Sequence, residues 1–528
     1  MSKNRKYDAI VIGGGHNGLV NGGYLAKAGL DVLVLEKRPF IGGAAITEEL
    51  IPGFKFTTFS YALSLIRPDI VQDLNLAEHG MMTLPMPNGF HANAEGEYIL
   101  LGDDHYQNYH EIARHSIEDA EAYDDYAHML GRVQHAMKPL MDRVPPNPYS
   151  DDPADQADMA EFNEYMEGLE PDVQEMIQRF YTGSIADILD DYFESDLVKG
   201  YMSSSSIIGT MCSPRSKESG LVYLLHVMGE RDGIFGEWGF HKEGNGGFTK
   251  VLRRAFEALG GTVECDVGVE KVIEENGKAV GVQLDTGEVI SADVVVSSLD
   301  PRRTFMQLVD PATMPSELIG AIEAFKFQGS ASKVNFALSD LPTFPGLEGR
   351  TDIFQGFTNI GPTIEYLEEA FQDALEGRIS KRPFIDGCIQ STIDPDMAPA
   401  GKHIMSCFVM YTPYHLAESN WDTERETLGD IVQNTLNDIF PGFHDIVLHR
   451  EVVTPLDIER VVGITEGNIF QGELFASQMF FNRPAPGWNQ YRTPLSGYYQ
   501  CGSGNHPGGC VMGGPGKLAA QQILKDRG

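Results

Sequence analysis

The strongest constraint on this chain lies near its start. Tyr7-Asp-Ala-Ile-Val-Ile12 is an apolar, β-branched run, Gly13-Gly-Gly15-His-Asn-Gly18 follows at once, and Leu19, Val20, Tyr24 and Leu25 then recur at helical spacing. The pattern predicts strand, tight turn and helix. Gly29 ends the helix, and Asp31-Val-Leu-Val-Leu-Glu36 predicts a second strand that finishes on a carboxylate. At this spacing Gly13 permits the turn, Gly15 lets backbone approach a pyrophosphate, and Gly18 lets helix and strand pack closely. A diphosphate would rest on the unpaired amides and positive dipole end of the helix. Glu36 would accept hydrogen bonds from ribose hydroxyls and oppose a 2′-phosphate.

The fingerprint alone does not separate FAD from NAD. The continuation does, because Pro39-Phe-Ile-Gly42-Gly43-Ala44-Ala45 adds a second glycine pair directly after Glu36 and Lys37. This resembles the segment that FAD enzymes wrap along the diphosphate, with Ala44 standing where an arginine is usual.

Two distant stretches read as further pieces of the same domain. A helix-patterned segment, Leu252 to Leu259, leads through Gly260-Gly261 into strands over Thr262 to Ile273. A hairpin turning at Asn276-Gly277 and the apolar strand Asp293-Val-Val-Val-Ser297 follow. At the C-terminus, Tyr498-Tyr-Gln-Cys-Gly502-Ser503-Gly-Asn-His506-Pro-Gly508-Gly509 predicts strand, glycine turn and helix start, with a helix from Lys517. Glycine at this density suits backbone that must approach a ligand closely.

These three pieces resemble the phytoene desaturase-related flavoproteins of the amine oxidase/phytoene desaturase superfamily. Phe59-Ser-Tyr61 through Arg67-Pro68, Gly467 through Glu473, Arg483-Pro484, Tyr491-Arg492-Thr-Pro494 and His506-Pro-Gly-Gly are similar to the branch called pyridine nucleotide-disulphide oxidoreductase domain-containing protein 2. The likeness covers nearly the whole chain and is weakest over residues 90–200 and 340–440. Gln471 departs from it, standing where that branch has histidine.

The resemblance implies an α/β chain. A discontinuous Rossmann-like FAD-binding domain, parallel sheet plus β-meander, would comprise 1–61, 241–304 and 461–528. Residues 62–240 and 305–460 would form a mixed-sheet and helical substrate domain. The expected FAD contacts are Gly13, Gly15, Gly18, Glu36, Lys37, Gly42, Gly43, Ala44, Val269, Ser297, Gly502, Ser503, Gly508 and Gly509. Tyr61, Gln471, Arg492 and His506 are candidates for the catalytic face, with Arg67 and Glu473 beside them; Arg67 and Arg492 read equally well as members of fold-holding ion pairs, and no metal is expected.

Several chemistries are disfavoured. No cysteine precedes Cys212 and no CxxC pair occurs, which opposes dithiol exchange despite the word disulphide in the branch name. No second nucleotide fingerprint appears, so oxygen, a quinone or another acceptor is expected to reoxidise the flavin. With 40 basic and 76 acidic residues the net charge is −36, which repels phosphate backbones and excludes nucleic acid as an expected partner. The acidic stretch between Asp103 and Asp196 reads as a solvated helical face. The cysteine usage fits a reducing compartment, and the short basic start leaves no room for a leader, so a cytoplasmic location is expected. Peripheral membrane contact and homo-oligomerisation stay open.

What remains is hydride removal from a C–C or C–N single bond of an apolar small molecule. Desaturation leads and amine oxidation follows. The alternatives are a redox-neutral flavin isomerase and, from another class, a non-catalytic binding protein on the fold that Rab GDP-dissociation inhibitors share.

Overall fold

The structure, a computed structural model, describes residues 5–231 and 233–528. Strand β1 (Lys6–Ile12) enters a turn that opens helix α1 (His16–Lys27), which returns to strand β2 (Val32–Leu35). From Ala9 onward β1 is apolar on both faces, as burial between two layers demands, and all four residues of β2 are buried. β1 lies parallel to β2 and also to Val289–Ser297, which in turn runs parallel to Tyr498–Gln500. Thr262–Glu264 extends the parallel sheet beyond β2. The hairpin Val269–Glu275 and Lys278–Leu284 adds the antiparallel meander. Its turn residues Asn276 and Gly277 both take positive φ, 53° and 76°, as a two-residue hairpin turn requires.

One face of this sheet is covered by α1, the helix Gly244–Ala258 and the C-terminal helix Gly514–Arg527, with Phe248, Val251, Phe256 and Leu518 in the shared core. Gly516 lets the C-terminal helix sit directly on α1, since an added Cβ would lie 2.3 Å from the Asn17 carbonyl oxygen.

A second seven-stranded sheet runs Val447–Val453, Ala331–Leu338, His403–Met410, Phe384–Cys388, Gly356–Ile360, Asn88–Ala92 and Tyr98–Gly102. All neighbours are antiparallel except Gly356–Ile360 with Asn88–Ala92. The strand Ala331–Leu338 is buried at every position, although it carries Ser332, Lys333 and Asn335.

Helices from Ile117–Met141 to Ser219–His226 form a third layer around Tyr126, Phe180, Leu189 and Tyr223. The acidic helix Pro153–Glu167 within it buries no residue, in keeping with a solvated face. No helix among the described residues is long and apolar enough to cross a membrane.

Candidate functional site

A cavity of about 690 Å³ runs from the β1–α1 turn to the face of the second sheet. Its first section is backbone. Gly13, Gly15 and Gly18 line it opposite Gly42, Gly43 and Ala44, and Gly15 pairs with Gly42 in an isolated bridge. Gly18 is required by packing: a Cβ there would stand 2.2 Å from the Gly13 carbonyl oxygen. A Cβ on Gly15 would meet only the Gly43 Cα, at 4.0 Å, and would otherwise project into open space. The Gly42 amide donates to the Gly14 carbonyl oxygen at 2.8 Å, so the two glycine segments join into one stretch of cavity wall free of side chains, which a diphosphate can approach closely.

Glu36 and Lys37 stand at the end of β2 and line the same section with Val269. Glu36 is held in place by both carboxylate oxygens: Oε2 accepts from the Gly14 amide at 2.8 Å and Oε1 from the Arg38 amide at 2.9 Å. Arg38, which the motif spacing does not single out, donates to the Gly43 carbonyl oxygen at 2.9 Å and lines the cavity beside the position where Ala44 lacks an arginine. These residues fit an adenine dinucleotide: acid for the ribose, bare backbone for the diphosphate, the Val269 side of its strand for the base.

The C-terminal loop reaches the cavity through Ser503, Cys510 and Val511, while Gly502, Gly508 and Gly509 stand behind that wall. Gly509 is instead packed against Phe470, where an added Cβ would lie 2.3 Å from its Cδ1. Ser503 is fixed by Asn17 of α1, whose Nδ2 donates to its Oγ at 3.1 Å. Ser297 is corrected by one position. Its Oγ pairs with Thr304 Oγ1 at 2.8 Å on the far side, whereas Ser298 lines the cavity and bonds the Ile12 and Gly13 carbonyl oxygens at 2.9 and 3.0 Å. The strand ends at Ser297, and Ser298, the first residue past it, turns its hydroxyl back onto the Ile12 and Gly13 carbonyl oxygens of the β1–α1 turn.

Of the candidate catalytic residues, Tyr61 and Gln471 line the cavity. Gln471 Oε1 accepts from the Gly504 amide at 3.2 Å, tying the chain's two late loops together. Arg492 and His506 are not in this wall. Arg492 sits at the surface in a bidentate ion pair with Asp526 of the C-terminal helix, with N···O distances of 2.7 and 2.5 Å. His506 is buried in the helical layer, its Nε2 on the Leu140 carbonyl oxygen at 3.1 Å, and burial pushes its pKa down to about 4. Arg67 is likewise committed to an ion pair with Asp142. Glu473 accepts from the Met211 amide at 3.0 Å and from Asn468 Nδ2 at 2.8 Å behind the wall, its pKa pushed up to about 8 by burial.

The far section of the cavity is a stripe across the second sheet. Lys333, Phe408, Asp386 and Asn359 stand opposite one another in register on four consecutive strands, so their side chains share one face. All four line the cavity. Tyr61 lies over the stripe: its ring is stacked 6.1 Å from Phe408, its hydroxyl donates to Asp386 Oδ2 at 2.5 Å, and Lys333 Nζ stands 3.8 Å from its ring centre. Asn359 Nδ2 donates to Asp386 Oδ1 at 3.1 Å, and Lys333 Nζ donates to Ser406 Oγ at 2.6 Å. Burial disfavours charge on both sides, so Asp386 rises to about 7 and Lys333 falls to about 8. Tyr61 is pushed well above its ordinary value by burial and by the adjacent carboxylate. Lys333, Asp386 and Asn359 were missed by sequence reasoning. Their one local signal was a charged residue inside a short apolar strand, as in Ala331-Ser-Lys-Val-Asn-Phe-Ala-Leu338.

The fold and cavity therefore define a dinucleotide-binding protein with a second sheet closing a partly apolar chamber. Residues 18–524 match the family described as "Flavin containing amine oxidoreductase", and the chain belongs to that family. It is 37% identical over 547 residues to rat pyridine nucleotide-disulfide oxidoreductase domain-containing protein 2, covering 99% of this chain and 94% of that one. It is 25% identical over 550 residues to a subunit of the limonene dehydrogenase of Castellaniella defragrans, covering 100% and 96% of the two chains. Putrescine oxidase solved with putrescine has the same fold, with a TM-score of 0.59 at 16% identity over 99% of each chain. FAD-dependent oxidoreduction is the chemistry the family supports.

Proposed function

We propose that this chain binds FAD and dehydrogenates a C–C bond of an apolar small molecule. When bound, FAD supplies a hydride acceptor. The observation that carries the reading is one continuous cavity joining the glycine cradle to the Tyr61, Phe408 and Asp386 wall. Gly13, Gly15, Gly18, Gly42 and Gly43 would seat the diphosphate, and Glu36 the ribose. The aromatic wall excludes water and holds the substrate by apolar contact.

Desaturation releases a hydride and, from the neighbouring carbon, a proton. Asp386 is the group placed to take that proton: it lines the cavity, its two oxygens are oriented by Tyr61 and Asn359, and its pKa near 7 suits a base at neutral pH. In that role the Asp386 carboxylate would hold the proton lost from carbon, and bound FAD would supply the acceptor for the hydride that leaves with it. Oxygen or a quinone would take the electrons onward. The relationship to a protein of limonene dehydrogenation supports an apolar, isoprenoid-like substrate.

Oxidation of a C–N bond is the second reading, favoured by Lys333, whose lowered pKa lets it accept a proton beside the same wall.

The test is direct. Purified protein should show flavin absorbance bands, and anaerobic addition of isoprenoid hydrocarbons should bleach them. Bleaching by amines with imine release would establish the second reading. Isomer formation without acceptor consumption would establish a redox-neutral isomerase. A colourless protein would overturn the flavin assignment in favour of a binding role.

A further inference from the structure

The chamber on the second sheet stops at a definite strand. Lys333, Phe408, Asp386 and Asn359 lie on one register line across four strands, and the next residue on that line is His91 of strand Asn88–Ala92, paired with Asn359. The first four line the cavity, whereas His91 does not and is fully buried. At the other end of the line Lys333 stands in register with Val453, and no residue of Val447–Val453 lines the cavity. The stripe is therefore bounded at both ends.

The side chain that covers the fifth strand is Tyr201 of the helix Asp196–Ser203, and it lines the cavity. Its ring meets the His91 ring edge to face, with centroids 5.5 Å apart. Its hydroxyl reaches Gly89, where an added Cβ would lie 2.6 Å from the oxygen. Gly89 is two residues before His91 and so on the same face of the strand. Tyr201 thus lies along the strand from His91 to Gly89, in room that the missing side chain of Gly89 provides. The helix that carries it is seated hard against the sheet: a Cβ on Gly200 would stand 2.3 Å from the carbonyl oxygen of Pro362, in the loop after strand Gly356–Ile360. Tyr201 cannot retreat with its helix without breaking that packing.

We propose that Tyr201 is the end stop of the substrate chamber and limits the protein to short isoprenoid-like hydrocarbons. This rests on the desaturation reading above and narrows its substrate class. Adjacent strands lie about 4.8 Å apart, so the four-strand stripe is about 14 Å wide. An extended carbon chain advances about 1.3 Å per bond, so the eight-carbon backbone of β-myrcene, about 9 Å, fits this width with its end groups. The twelve-carbon backbone of β-farnesene, about 14 Å before its end groups are added, overruns it.

The experiment uses the full chain with its FAD and these two hydrocarbons as probes. Binding is read from quenching of tryptophan fluorescence, since Trp238 lines the cavity. In a chamber without an end stop the larger apolar surface of farnesene would make it at least about tenfold the tighter ligand. In the unmodified protein farnesene should instead bind no more tightly than myrcene. Tyr201→Ala should open the fifth strand and raise the affinity for farnesene relative to myrcene by at least about tenfold. Tyr201→Phe, which keeps the ring, should keep the limit. If Tyr201→Ala does not fold, Tyr201→Leu shortens the same side chain and should shift the ratio in the same direction. Tighter binding of farnesene by the unmodified protein, failure of both probes to bind, or a ratio unmoved in the shortened variants would overturn the assignment. Fluorescence reports binding whether or not the flavin is reduced. A length limit without bleaching would therefore sink the desaturation reading alone, and bleaching by both probes with farnesene the tighter would sink the end stop alone.

Discussion

Arg483 is fully buried, and its guanidinium donates to the carbonyl oxygens of Ser503 at 2.9 Å, Phe470 at 2.8 Å and Glu473 and Gln478 at 3.1 Å each. It thereby pins the loop 470–478 to the loop that brings Ser503 into the cavity. Burial lowers its pKa to about 9, opposed by the Glu473 charge. Arg483→Met keeps the stem and deletes every donor, leaving these carbonyls unpaired in a dry site. Each unsatisfied group costs about 1–3 kcal/mol, and relaxation limits the total to roughly 3–5 kcal/mol, the range seen when one side of a buried charged network is removed. At ~2 °C per kcal/mol, the low end for a large domain, the melting temperature should fall by roughly 6–10 °C. Arg483→Lys keeps the charge but not the planar fork, so it should recover less than half of the loss. Differential scanning fluorimetry with parallel measurement of bound FAD checks both. A melting temperature for Arg483→Met within ~2 °C of the unmodified protein would refute the reasoning.

Gly18→Val places a branched side chain where even a Cβ stands 2.2 Å from the Gly13 carbonyl oxygen, so α1 must move off the turn; FAD retention should fall by at least about tenfold, read from the flavin-to-protein absorbance ratio. Arg492→Ala removes the pair with Asp526 and the bond to Gln490 Oε1, both outside the cavity wall, and both FAD content and the rate of flavin reduction by dithionite should stay unchanged; a slowed reduction would return Arg492 to the site. Asp386 has its folded pKa raised from 3.8 to about 7, so its contribution to stability is fully present below pH 3.8 and is lost as pH rises toward 7. The melting temperature of Asp386→Asn minus that of the unmodified protein should therefore increase across that window and level off above it, and a flat difference would contradict the burial of this carboxyl.

The sequence by itself determined the cofactor half of this protein. Strand period, helix period and the spacing of Gly13, Gly15, Gly18 and Glu36 are local properties, so the unit from β1 to β2 was legible before any contact was known. The hairpin at Asn276-Gly277 was legible for the same reason, since its turn residues must adopt φ values that few others tolerate. The acidic face of Pro153–Glu167 followed from composition alone.

Tertiary structure decided the rest, wherever the answer depended on register between distant strands. Whether Ser297 or Ser298 faces the cavity hinges on where the strand ends, since Ser298 is the first residue past it. Arg492 lies next to motif residues in sequence, yet the approach of the C-terminal helix gives it Asp526 as a partner. His506 was a loop histidine until the helix Ile117–Met141 covered it. Lys333, Asn359, Asp386 and Phe408 become one wall only because four strands align in one register, and side-chain spacing along the chain carries no record of that pairing. Local pattern fixes which elements form and which backbone can approach a ligand; only packing fixes which polar groups are left facing the space between them.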